Sequence, residues 1–143
     1  MKRSIEKNTC QKKAILDFLK SVKTHPTAEE VYRSVKEKLP QISRGTVYRN
    51  LNLLADKGEI LEIFSKVSHY DGYISPHAHF VCRECDKIFD ISDVREEYDA
   101  MNKFIEMKGR VFGKIQGCHL IFYGFCRRCK NKTLQNKRTI NFI

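Results

Sequence analysis

From Ala14 onward the apolar positions fall at Ala14, Ile15, Phe18, Leu19 and Val22, the three-and-four spacing of one face of an amphipathic helix. The stretch HPTAEE follows, with Thr27 and Glu30 at the separation of a capping box just after Pro26. A second stripe, Ala28, Val31, Tyr32, Val35 and Leu39, predicts a second helix that Pro40 stops. Ser43 is placed to cap a third helix, which carries Val47, Leu51, Leu54 and Ala55 inward and ends at Gly58. EILEIF and SHYDGYI then read as two short strands. Three short helices with tight joints and a strand pair predict a winged helix-turn-helix whose third helix is the recognition helix. Arg44, Thr46, Tyr48, Arg49 and Asn50 are read as lying off its apolar stripe. They are side-chain types that bond phosphates and base edges, so they are the candidate DNA contacts. A three-helix bundle that binds protein is the other reading of the same pattern.

Around Ser75 and Pro76 the pattern changes. HFVC and KIFDI alternate as strands, and Asp93 with Glu96 marks the start of a helix carrying Val94, Tyr98, Met101, Phe104 and Ile105, closed by Gly109. A last strand is expected over about Val111 to Phe125, leading into CRRC, with a polar, basic tail beyond Cys129. The division is therefore residues 1–74, a winged-helix domain with its hinge, and residues 75–143, an α+β half. A core that small ordinarily needs a metal or an oligomer partner.

Composition narrows the class. The chain has 143 residues, 41% hydrophobic, with a formal charge of +10. Residues 1–60 carry 13 Lys/Arg against 7 Asp/Glu, residues 61–126 carry 8 against 10, and residues 127–143 carry 6 against none. Both ends are basic, which suggests a polyanionic partner, nucleic acid before membrane. No apolar run approaches the roughly 20 residues that cross a bilayer. The basic start MKRSIEKNTCQKK has no apolar core and is not read as a secretory signal. The expected location is cytoplasmic.

Four of the six cysteines form two pairs, Cys82-x-x-Cys85 and Cys126-x-x-Cys129. Two such pairs at strand ends suit a closed tetrahedral Zn²⁺ site of four thiolates, with a structural role. A redox Cys-x-x-Cys would need a strand-to-helix context that the pattern lacks. Cys10 and Cys118 are read as small buried apolar residues. The second cluster is harder in character. His77 and His79 are two apart on an extended segment, so they share a face, Asp90 lies on the next strand, and Asp71 lies upstream in HYDG. An all-nitrogen-and-oxygen set suits Fe²⁺ or Mn²⁺ and also accepts Zn²⁺, although a His-x-His is also an ordinary surface strand. With no His-Glu-x-x-His, phosphate loop or Gly-x-Ser-x-Gly, an enzyme is not expected. A zinc-stapled module binding protein or RNA through its basic ends, and a small metalloenzyme, are the readings from other classes.

HPTAEEVY, ISRGTVYRNLNLLADKGEI, YDG, HAHFVCRECDKIFDI and YGFCRRC occur in that order from about Thr9 to Cys129. Together they resemble the ferric uptake regulator family of bacterial metal-dependent repressors. The resemblance implies a homodimer, each chain with an N-terminal winged helix and a C-terminal α/β dimerisation domain, and a hinge metal that sets the grip on A·T-rich palindromic operators. It implies that Tyr48 and its neighbours read the major groove. Within the family the chain is most similar to the peroxide-responsive branch. There the regulatory Fe²⁺ or Mn²⁺ would be held by His25, Asp71, His77, His79 and Asp90, with His25 and His77 the imidazoles oxidised by hydrogen peroxide. The thiolate Zn²⁺ would be a bystander. His25 enters through this resemblance alone. Departures from the iron-sensing branch carry the choice: Pro76 and Ala78 interrupt a His-rich run, Phe125 stands where that branch has His, and Asp90 stands where it tends to have Glu. An iron- or zinc-uptake regulator without peroxide sensing is the alternative within the family.

Overall fold

The computed structural model describes residues 2–109 and 118–130, with the side chains of residues 2–8 left aside. The chain divides into two compact units, Met1–Ile74 and Ser75–Ile143.

The first unit runs α1 (Lys2–Ser21), α2 (Ala28–Lys38), α3 (Arg44–Asp56), β1 (Leu61–Phe64) and β2 (Ser68–Asp71). The α1 helix begins well before the apolar stripe that predicted it. Each of the next two helices starts at a side-chain cap. Thr27 accepts from the Glu30 N–H while the Glu30 carboxylate accepts from the Thr27 N–H, a closed capping box. Ser43 accepts from the Thr46 N–H at 3.2 Å. At the far end of α3, Gly58 takes φ +67°, the left-handed conformation that glycine adopts without a Cβ clash.

Ile15 and Leu19 of α1, Val31 and Val35 of α2, and Val47, Leu51 and Leu54 of α3 close on one another with Ile60 and Tyr70. Burying each of these branched side chains contributes roughly 1.5–3 kcal/mol, so this core is what holds the unit. The strands β1 and β2 pair antiparallel as the wing, Leu61 opposite Asp71 and Phe64 opposite Ser68. An isolated bridge between Thr27 and His69 pins the wing to the start of α2. Gly72, just past β2, lies against the end of α1: a Cβ there would stand 2.7 Å from the Leu19 carbonyl carbon and the Lys20 nitrogen.

The second unit contains β3 (Ala78–Cys82), β4 (Ile88–Ile91), α4 (Arg95–Lys108) and β5 (Ile121–Gly124). The sheet order is β4-β3-β5, antiparallel between β3 and β4 and parallel between β3 and β5. Several expectations change here. Asp93 does not cap α4; it sits at φ +61°, Val94 occupies the cap position, and no side chain bonds the first turn. The Asp93 carboxyl instead accepts from the Ser92 hydroxyl at 3.5 Å. Of the apolar stripe on α4 only Tyr98 is buried, while Met101, Phe104 and Ile105 are exposed. The last strand is shorter than its pattern, Ile121–Gly124. Residues 111–117 of that expected strand and the tail from residue 131 lie outside the described residues. Cys10 is exposed and Cys118 half-buried, so neither is the fully buried small residue expected of it. No helix among the described residues is long and apolar enough to cross a membrane.

Candidate metal centres and the third helix

Cys82 ends β3, Cys85 sits in the turn that follows, Cys126 lies just before a helical turn past β5, and Cys129 lies within that turn. The register Cys82 opposite Gly124 in the parallel β3–β5 pair brings the two Cys-x-x-Cys segments to one end of the sheet. One sulfur from each of the four lies within 4.8 Å of the others. Cys85 Sγ and Cys126 Sγ are 3.9 Å apart. Four thiolates at about 2.3 Å around one tetrahedral ion would stand about 3.8 Å apart, so the sulfurs fit zinc. Backbone geometry holds the sulfurs in place. The Cys129 and Lys130 amides both donate to the Cys126 carbonyl, and Asp86, at φ +60°, closes the knuckle through its N–H to the Cys82 carbonyl.

The electrostatics prepare one thiolate. Burial opposes charge on Cys82, but amides of Cys126, Cys85 and Glu84 outweigh it and draw the thiol down to about 6. Burial and donation toward the other three sulfurs push Cys129 up to about 12. A divalent cation is the group that allows all four sulfurs to be anionic together.

The nitrogen-and-oxygen donors of the second unit converge separately. His79 pairs with Asp90 across β3 and β4. His77 Nε2 and His79 Nε2 are 2.9 Å apart, and each is 3.6 Å from Asp90 Oδ1. The His77 Nδ1–H donates to the Ser75 carbonyl at 2.7 Å. That bond sets the tautomer and turns the Nε2 lone pair toward His79 and Asp90. Two donors on one ion at about 2.1 Å stand about 3 Å apart when their bonds meet at a right angle and about 3.6 Å apart near 120°, so this trio can share one divalent metal, with the wider angles toward Asp90.

In the first unit, His25 Nε2 lies 3.7 Å from Asp71 Oδ2. His25 occupies φ +51°, a strained conformation for a residue with a Cβ. The His69 Nδ1–H donates to its carbonyl at 2.7 Å, and the Tyr70 N–H donates to the Pro26 carbonyl at 2.9 Å. These bonds hold the turn. Asp71 Oδ1 accepts from the Tyr73 N–H at 2.8 Å, which orients the carboxylate. His69 was missed in the sequence. Its signal is its place two residues before Asp71 on a strand, where period two puts both on one face.

On α3, Tyr48 and Arg49 are exposed. Arg44 forks onto Glu29 with two bonds of 3.0 Å and stacks 5.0 Å from the Tyr32 ring centre. The same contact holds the Glu29 carboxyl below its ordinary range, its hydrogen bond from Arg44 being the leading cause. Thr46 is half-buried and its hydroxyl meets that of Ser43 at 2.9 Å. Asn50 is a correction. It is 2% exposed and its Nδ2 donates to the Thr46 carbonyl at 2.8 Å, so it belongs to the buried face with Val47 and Leu54.

Residues 4–113 match the family model "Ferric uptake regulator family". The chain is 32% identical over 127 residues to a peroxide operon regulator of Bacillus subtilis, covering 87% of this chain and 84% of that protein. It is 34% identical over 128 residues to a peroxide-responsive repressor of Staphylococcus aureus, covering 87% and 82%. The crystal structure of a Campylobacter jejuni peroxide stress regulator superposes with a TM-score of 0.78 at 30% identity, covering 90% of this chain and 95% of that one. With a four-cysteine cluster for structural zinc, a histidine and aspartate set for a regulatory metal, and these relatives, the chain belongs to the ferric uptake regulator family of metal-responsive transcriptional regulators, and is most like its peroxide repressors.

Proposed function

We propose that this chain is a Fe²⁺- or Mn²⁺-dependent repressor that binds A·T-rich palindromic operator DNA in the cytoplasm as a homodimer and releases it on oxidation by hydrogen peroxide. The observation that carries the reading is the buried pair His77 and His79, with Nε2 atoms 2.9 Å apart beside Asp90. It is a donor set of nitrogen and oxygen alone. Each unit offers an incomplete shell, three donors in the second and two, His25 and Asp71, in the first. Pro76, Ala78 and Phe125 stand where the iron-sensing branch has the histidines of a further site, which supports the peroxide branch over the iron-sensing one.

Bound ferrous iron would lend the electron that splits hydrogen peroxide and regain it from the ring, so the net change is a two-electron oxidation of imidazole by peroxide. The residues that receive the oxidant are His25 and His77. One peroxide oxygen ends on an imidazole carbon and the other leaves as water. The modified ring is a poor donor, so the shell opens. Cys82, Cys85, Cys126 and Cys129 would keep their zinc throughout, since that site has no open position.

Tyr48 and Arg49 are exposed α3 side chains that would face a duplex, with Arg44 and Thr46 at the helix start. Dimerisation is assigned to the second unit, whose exposed Met101, Phe104 and Ile105 on α4 are an apolar stripe in want of a cover.

The test is mass spectrometry of the Fe²⁺-loaded protein after mild peroxide, with duplex binding followed in parallel. Oxygen gained on His25 or His77 together with loss of DNA affinity is expected. If neither gains oxygen and metal-dependent binding persists, the chain is an iron- or zinc-uptake regulator. Binding that needs no metal and has no steep salt dependence would remove the repressor reading altogether.

A further inference from the structure

Tyr98 is the one buried side chain of α4, and its hydroxyl occupies a particular place in the sheet. In the parallel β3–β5 pair, His79 stands opposite Ile121, and the His79 N–H donates to the Leu120 carbonyl at 3.0 Å. The regular continuation of that ladder is a bond from the Leu120 N–H to the His77 carbonyl. That rung is replaced. The Leu120 N–H donates to the Tyr98 hydroxyl oxygen at 3.2 Å, and the hydroxyl donates to the His77 carbonyl at 2.7 Å.

We propose that Tyr98 is a positioning residue for the regulatory ion, its hydroxyl acting as a one-atom spacer spliced into the β3–β5 ladder that sets the backbone of His77. The inference rests on the reading of His77 and His79 as ligands of that ion. Side chains two apart on a regular strand start about 7 Å from one another. Here the two rings meet edge to face with centroids 4.4 Å apart. The rings lean together, and β3 begins one residue later, at Ala78, so His77 lies just outside the regular strand. A direct rung would draw His77 toward β5. The inserted hydroxyl holds the two strands apart there and still satisfies both backbone groups. The Nδ1 bond to the Ser75 carbonyl fixes the ring, and the Tyr98 bond fixes the peptide that carries it. Because Tyr98 lies in the first turn of α4, the same bond links that helix to a metal ligand.

Wild type and Tyr98→Phe are compared for zinc per chain, for Mn²⁺ affinity by competition with a fluorescent chelator, and for the ligand-field spectrum of Co²⁺ in the regulatory site. The variant is expected to keep its zinc, to bind Mn²⁺ about 10-fold or more weakly, as loss of a ligand's supporting hydrogen bond does, and to shift the Co²⁺ bands. Unchanged affinity with unchanged bands, even alongside a lower melting temperature, would leave Tyr98 a merely structural residue and overturn the proposal. Wild type that takes up no Mn²⁺ or Co²⁺ beyond the thiolate site overturns the parent reading before any variant is made. If Tyr98→Phe loses its zinc or its cooperative unfolding, wild type decides through amide exchange. The Leu120 N–H is expected to exchange more slowly once Mn²⁺ is added, and an unchanged rate overturns the proposal.

Discussion

Gly45 and Gly72 differ in what surrounds the missing side chain. A Cβ on Gly45, in the first turn of α3, would meet nothing within 4 Å. A helical glycine costs about 0.5–1 kcal/mol relative to alanine, so Gly45→Ala is expected to stabilise the first unit by up to that amount, read as a higher urea midpoint. A Cβ on Gly72 would lie 2.7 Å from the backbone of Leu19 and Lys20, which cannot swing aside. Gly72→Ala is expected to cost about 1–3 kcal/mol, as overpacking does; an equal midpoint in the same titration would show that the approach of β2 to α1 is looser than described. At this scale the sequence was legible where residue type and position agreed. The cysteine pairs and the His-x-His with Asp90 are such cases. Asn50 was misplaced because it was judged by its chemistry, although it lies three residues after Val47 and four before Leu54 and so falls on their stripe. His25 carries no pattern of its own. A left-handed residue between two helices is set by contacts with His69 and Tyr70, more than forty positions away, and no local spacing encodes them.

The second helix begins at a cap with a measurable pH signature. The Thr27 N–H donates to Glu30 Oε2 at 2.7 Å and the Thr27 hydroxyl donates to the same atom at 2.8 Å. The backbone bond first, then the side-chain bond, with smaller contributions from His69 and Arg33, hold the Glu30 carboxyl below its ordinary value against the opposing effect of burial. A carboxyl lowered on folding stabilises the fold above its unfolded pKa, near 4.3. That contribution is lost as the pH falls through the lower folded value. Thr27→Ala removes a cap worth about 1 kcal/mol and part of this linkage. Its destabilisation should therefore be larger at neutral pH than below pH 4, roughly the unfolded value, when unfolding is followed by circular dichroism. A constant deficit across that window would show that the Glu30 bonds do not persist in solution. Caps of this kind were legible because both partners lie within one turn. The start of α4 was not, since Asp93 has the right residue type but a left-handed backbone. The burial of α4 was misjudged for a different reason: periodicity reports a face, and does not say whether this chain or another molecule covers it.

The two units are stabilised by different means, and removing zinc should separate them. The contiguous cluster from Ile15 to Tyr70 lies wholly in the first unit. Among the described residues, the buried apolar side chains of the second are few: Ala78, Val81, Cys82, Tyr98 and Cys129. So small a core contributes only a few kcal/mol, whereas a structural zinc binds with about 10 kcal/mol or more that appears as folding free energy. The four sulfurs also join chain positions far apart, Cys85 lying 41 residues before Cys126. Cys126→Ser leaves three thiolates and a hydroxyl that does not ionise at neutral pH. Zinc content should fall to near zero by elemental analysis, and the β3–β5 pairing anchored at Cys82 should go with it. The first unit has its own core, so calorimetry should still show one cooperative transition, accompanied by loss of the proposed dimer in sedimentation. A strong chelator acting on wild type should reproduce both effects, reversibly on return of zinc. A Cys126→Ser protein that keeps its zinc and its dimer would mean that the four-thiolate assignment is wrong. Loss of both transitions together would mean that the winged helix depends on the zinc-bound unit and does not stand on its own core.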